Sequence, residues 1–334
     1  MIGRNAMGFG WKTAALAVAL TLAGAQGALA QETVRVGVLK FGTVNWELDA
    51  MKRNGLDAKH GISVEVQPYA GEDATAVALQ GGAVDMIVSD WLWVSRMRAE
   101  GVPYVFAPYS TSVGSIMVPK DSPIRALSDL KDKRLGVAGG PLDKNWLLIQ
   151  ALARREGKID LAEEADIAYA APPLLAEKAR QGELDAVLIF WNYAARLEAA
   201  GFRELVSGEE AAGAAGASGP VAAIGYVFPE GFAKAHPAAV EGFLAASRET
   251  KALLATSDAE WTALAPLVRA EDEATLRTLR DRYRRGIPAR PVAEEEKDAE
   301  RLYRTLRAIG SEKLVGRGEV LDPGTYWAGL KNAS

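Results

Sequence analysis

The chain has 334 residues and no cysteine, and only two of its residues are histidine. Without thiols it forms no disulfide, offers no thiolate nucleophile and builds no Cys-ligated metal site. His60 and His236 stand beside Gly61 and Pro237, as cap or surface residues do, with no Ser–His–Asp spacing and no His/Asp/Glu group at metal-ligand spacing. No glycine-rich phosphate loop is present. The formal charge of −4 is mildly acidic and gives no mark of a nucleic-acid or anionic-membrane binder, so neither is an expected partner. No segment after the first thirty residues is apolar for long enough to span a bilayer.

Those thirty residues read as a cleavable secretory leader. Arg4 and Lys12 precede a short apolar run from Thr13 to Ala23, and Ala28-Leu29-Ala30 supplies small residues at a cleavage site. The leader has no arginine pair and no cysteine for lipidation. The expectation is a periplasmic protein, not a lipoprotein, beginning near Gln31.

Beyond the leader, one pattern is written twice. "GGAVDMIVSDW" holds Gly82, Asp85 and Trp91; "QGELDAVLIFW" holds Gly182, Asp185 and Trp191 at the same offsets. In each, glycine closes a helix, aspartate opens a strand, the apolar run is the buried strand and tryptophan stands just past its carboxyl end. Strand and helix patterns alternate from Thr33 to Pro119 and again from Lys133 to Trp191, which predicts α/β units around mostly parallel sheets. "AAGAAGASGP" (211–220) reads as a linker, and the remainder is mainly helical. In open α/β sheets ligands bind at the carboxyl ends of strands. Two units that each present a tryptophan there suggest two lobes facing one cleft.

The stretches "VRVGVLKFG", "GLDAKHGISVEVQPYAG", "ALQGGAVDMIVSD", "DSPIRALSDLKDKRLGV", "LLAEKARQGELDAVLIFWN" and "FAKAHPAAVEGFL" cover most of the chain. In that order they resemble periplasmic substrate-binding proteins of ABC importers, in the group for nitrate, sulfonate and taurine that also includes thiamine-precursor binders. The resemblance implies a two-lobed Venus-flytrap fold. Lobe 1 would comprise residues 31–118 and the return segment 221–334, and lobe 2 residues 119–220. The crossings would lie near Ile116–Pro119 and Ala222–Tyr226. It implies a non-enzymatic receptor without cofactor that delivers a small solute to a permease and its ATPase, and a monomer is expected. The alternative is a periplasmic interaction module of the same fold that serves an enzyme or sensor.

The family's ligand loops fall here on "KFGTVNWE", "SDWLW", "GGPLDKNW" and "FWNY". They nominate Phe41, Thr43, Asn45, Trp46, Asp90, Trp91, Asp143, Lys144, Trp146, Trp191, Asn192 and Tyr193. Four tryptophans at four strand ends suggest a cleft walled by aromatic rings. Asp90 and Asp143 are equally well placed as helix N-caps. If they face the cleft they favour an amine or amidine-like group. Lys144 and Lys40 are the cations that could take an anion, and Glu47 reads as a first-turn acid. "GGPLDKNW" offers no Ser, Thr or Arg to hold an anion. An aromatic or nitrogen-rich heterocycle, such as a thiamine-type pyrimidine, is therefore favoured over a sulfonate. Asp85 and Asp185 sit at the opposite strand ends and are expected to be structural.

Overall fold

The computed structural model describes residues 1–3 and 31–330, so the leader read at 1–30 falls almost wholly outside the described residues. The first half of the chain runs β1 (Glu32–Leu39), α1 (Val44–Arg53), α2 (Leu56–Lys59), β2 (Ile62–Tyr69), α3 (Glu72–Gln80), β3 (Met86–Ser89), α4 (Trp91–Ala99) and β4 (Tyr104–Ser110). It continues with β5 (Ser115–Pro119), β6 (Arg134–Val137), α5 (Lys144–Leu152), α6 (Leu161–Glu164), β7 (Asp166–Tyr169), α7 (Pro172–Arg180), β8 (Ala186–Ile189), α8 (Trp191–Ala199), β9 (Phe202–Ser207) and α9 (Gly208–Ala214). The remainder is β10 (Ile224–Pro229), α10 (Glu230–Ala235), α11 (Pro237–Thr256), α12 (Asp258–Val268), α13 (Glu273–Arg285) and α14 (Val292–Val315).

Two five-stranded sheets result, in the orders β2-β1-β3-β10-β4 and β7-β6-β8-β5-β9. Each is parallel except for one strand, β10 or β5, that runs antiparallel to both its neighbours. The chain passes between the sheets at residues 111–114 and returns at 215–223. The strand Ser115–Pro119, expected near the first crossing, pairs wholly within the second sheet, with β8 and β9.

The repeated sequence is a repeated structure. Gly82 and Gly182 adopt left-handed φ values of 70° and 73°, which ends α3 and α7 without the Cβ clash another residue would suffer. Asp85 accepts from the Arg35 backbone N–H (2.8 Å) and pairs with its guanidinium (2.6 Å). Asp185 does the same with Arg134, at 2.9 and 2.8 Å. Each pair ties the start of one parallel strand, β3 or β8, to its neighbour β1 or β6, away from the strands' carboxyl ends, as the structural reading of Asp85 and Asp185 requires.

The C-terminal helices do not stay with one sheet. Arg282 on α13 reaches Glu198 of α8 (2.6 Å) and Glu204 of β9 (3.3 Å). Arg196 on α8 donates to the carbonyls of Val268 (2.8 Å) and Arg269 (3.1 Å) and pairs with Glu271 (2.5 Å). Tyr303 and Leu306 of α14 share an apolar cluster with residues from both halves, among them Val94 and Ile149. The tail is therefore a strap over both lobes.

Candidate solute-binding cleft

The helices that come after β3 and β6 start from aspartates. Asp90 caps α4, accepting from Trp93 N–H (2.8 Å), and Asp143 caps α5, accepting from Trp146 N–H (3.0 Å). Each cap uses one carboxylate oxygen. The second oxygen of Asp90 accepts from Lys144 Nζ at 2.8 Å, and that bond runs from one lobe to the other. Burial pushes the Lys144 ammonium down, but Asp90, with Asp143 and Glu72 beyond it, outweighs this and holds its pKa above the ordinary value. Burial pushes the Asp143 carboxyl up despite its amide bonds and Lys144. The sequence reads Asp90 as a cap or ligand group and Lys144 as a ligand cation or a solvated or salt-bridged lysine, without naming a partner; the structure pairs the two.

Beside this bridge lies a cavity of about 60 Å³. Its wall takes Trp91 from lobe 1, Lys144, Asn145 and Glu209 from lobe 2, both crossing segments, and Leu306 of α14. The volume admits a few water molecules, far below the several hundred Å³ of an ordinary ligand pocket. Glu209, Leu306 and the crossing segments were not legible as site residues, because it is the chain's return path that brings them here.

The four tryptophans do sit where the lobes meet, but not as an open wall. Trp46 is 5% exposed and Trp191 9%. Their indoles meet edge to face with centroids 5.9 Å apart, and Trp261 and Tyr283 close the cluster around Trp46 at 5.9 and 6.3 Å. Trp91 and Trp146 are buried in another apolar cluster, and of the four only Trp91 lines the cavity. Trp93 turns away and stacks on Tyr104. A ring placed one turn into a helix packs beneath that helix when an apolar partner is supplied from afar, here by α12 and α13.

The remaining nominated residues divide. Phe41 is 74% exposed, between Lys40 Nζ (5.6 Å) and the Arg269 guanidinium (5.7 Å). Asn45 donates to the carbonyls of Leu39 (2.9 Å) and Gly42 (2.8 Å) and so folds its own loop. Thr43 occupies the cap position of α1 without a side-chain cap bond. Asn192 is half-buried on α8, and Tyr193 packs on the apolar cluster around Met117 and Leu197.

Glu47 does lie in the first turn of α1, as read, but its side chain is turned inward. It is fully buried, accepting from Tyr226 (2.9 Å) and Ser247 (2.6 Å) through one oxygen and from Lys251 (2.5 Å) through the other. Lys251 also lies 4.4 Å from the centre of the Tyr109 ring. The two histidines pair with glutamates, His60 with Glu249 and His236 with Glu32. Among the described residues no group of three His, Asp or Glu is arranged to hold a metal ion, and no helix is long and apolar enough to cross a membrane.

Two α/β lobes with one reversed strand each, a double crossing and helix starts facing one another define the periplasmic-binding-protein fold. The chain belongs to the NMT1/THI5-like family, whose profile matches residues 50–258. The fold is shared with the periplasmic aliphatic sulphonate binding protein SsuA from Escherichia coli: TM-score 0.70 and 20% identity, over 90% of this chain and 99% of that one. The alkanesulfonate-binding protein SsuA from Xanthomonas axonopodis pv. citri, bound to MOPS, gives a TM-score of 0.63 at 18% identity over 88% and 98%. The desulfurization enzyme DSZB also shares it, with a TM-score of 0.58 at 15% identity over 90% and 98%. No curated protein sequence matches the chain significantly.

Proposed function

We propose that the protein is the extracytoplasmic solute receptor of an ABC importer, binding a small solute between its lobes and handing it to a permease driven by an ATPase. The observation that carries this reading is the Lys144–Asp90 bridge at the cleft. Two helix starts from different lobes meet there through charged side chains, at the strand ends where α/β sheets take ligands. Membership of the NMT1/THI5-like family and the named neighbours of the same fold support it.

The favoured solute presents a basic, hydrogen-bond-donating nitrogen, as an aminopyrimidine or related heterocycle does. Lys144 has Asp90, Asp143 and Glu72 as electrostatic neighbours, and Glu209 lines the same cavity. Three carboxylates near one ammonium, with a fourth on the cavity wall, disfavour an anion and favour a cation. A second reading, a sulfonate or taurine-like solute, has support from Lys144 itself, a cation within the cleft, and from the sulfonate binders that share the fold. No residue set for bond-breaking chemistry is present among the described residues of the cleft, so binding without turnover is the expected activity.

Titration calorimetry with 4-aminopyrimidines, taurine and alkyl sulfonates tests the choice. Tight binding of a sulfonate and none of a heterocycle would reverse the order of the two readings. Binding of none of them, with no change in scattering, would favour an interaction module.

A further inference from the structure

Lys144 is the first residue of α5, immediately after its cap Asp143. A cation there opposes the helix dipole, and no acid in that first turn offsets it. Helix stability therefore does not account for the residue. Its ammonium instead crosses to the other lobe and meets the one oxygen of Asp90 that the α4 cap leaves over. The side chains of Lys144 and Asp90 are only 33% and 18% exposed, so the pair is screened less by water than a surface ion pair.

We propose that the Lys144–Asp90 bridge is an exchangeable latch: Lys144 occupies on Asp90 the seat of a solute's cationic group, and it holds the lobes together until such a group replaces it. The inference rests on reading the cleft as the solute site. Its chemistry comes from charge balance. Lys144 released beside an incoming cation loses its hydrogen-bonded partner while partly desolvated, and keeps only the more distant Asp143 and Glu72, which is costly. A solute that also brings an acidic group supplies the missing partner. A simple anion meets Asp90, Asp143 and Glu209 instead. The latch thus admits solutes that present a basic nitrogen to Asp90, more readily when they also carry an acid, and it sets how easily the cleft opens.

Small-angle scattering of the protein alone tests the latch, on wild type, Lys144→Met, Lys144→Arg and Asp90→Asn. Asparagine is as good a helix cap as aspartate, so Asp90→Asn keeps α4 while removing the charge. Helical circular dichroism and a cooperative melt confirm folding, and if either charge-removing variant does not fold the other decides. Lys144→Met and Asp90→Asn are expected to have a larger radius of gyration, with the closed-to-open ratio lowered at least about tenfold, whereas Lys144→Arg stays compact. Both variants as compact as wild type would overturn the latch, and so would opening in Lys144→Met alone when Asp90→Asn is folded and closed. Calorimetry on the same samples separates this from the receptor reading. A solute that binds while no variant opens removes the latch and keeps the receptor; variants that open while no solute binds do the reverse.

Discussion

Trp46 and Trp191 meet edge to face, centroids 5.9 Å apart, one on α1 and the other on α8. The pair is an apolar contact between two lobes that also meet through charge. Each ring is almost fully buried, so truncation removes a large contact area and leaves a cavity. Trp46→Ala is expected to cost about 3–5 kcal/mol of unfolding free energy. Trp191→Ala, at the rim of the cluster, belongs nearer the lower end. Urea denaturation measures both, and losses under about 1 kcal/mol would show that the cluster is loosely packed.

Glu47 and Lys251 are buried together, and burial lowers the Lys251 pKa although Glu47 opposes the shift. Removing one member strands the other's charge. Glu47→Gln or Lys251→Met alone is expected to cost about 3–5 kcal/mol, and the double variant Glu47→Gln/Lys251→Met clearly less than the sum. A double-mutant cycle read by denaturation checks this. Additive losses would mean that the two groups act separately.

Glu295 on α14 is 1% exposed, and burial raises its carboxyl from 4.5 to about 7, with Tyr326 OH at 3.4 Å. A raised acid pKa means that the folded state binds the proton more tightly than the unfolded chain. This contribution to stability is complete below about pH 4.5 and is lost as pH rises through about 7. The window is worth about 3 kcal/mol. Glu295→Gln mimics the protonated form and should remove this fall from the pH–stability profile. A profile identical to that of wild type would place the titration elsewhere.

Much of the fold was legible because its signals are local. Gly82 and Gly182 had to end helices, and Asp85 and Asp185 had to open strands. The matching Arg35 and Arg134 were also visible, in "RVGV" and "RLGV", although their pairing was not read. Positions of site residues were legible, but their directions were not. Asp90 and Lys144 fell in the nominated loops, yet nothing within either loop says that they bond. Trp46 turned under its helix because Trp261 and Tyr283 arrive more than two hundred residues later. Glu47 became a core residue because Lys251 reaches it from α11. Each of these depends on partners distant in the chain, which local pattern does not encode.

If the cleft is a solute site that opens and closes, binding alters the surroundings of Trp91 beside the cavity and of the Trp46–Trp191 pair between the lobes. Intrinsic tryptophan fluorescence should therefore change on saturation with a 4-aminopyrimidine, and Asp90→Asn should weaken its binding at least about tenfold. Equal affinity in Asp90→Asn and wild type would remove Asp90 from the site.

The most direct test of the receptor assignment is native mass spectrometry of the protein, purified from its own cells without denaturation. The account predicts one small organic molecule per chain, released on unfolding, bearing a basic nitrogen, and lost or depleted in Asp90→Asn. A wild-type protein that carries no small molecule, and gains none when exposed to a small-molecule extract of those cells, would contradict it.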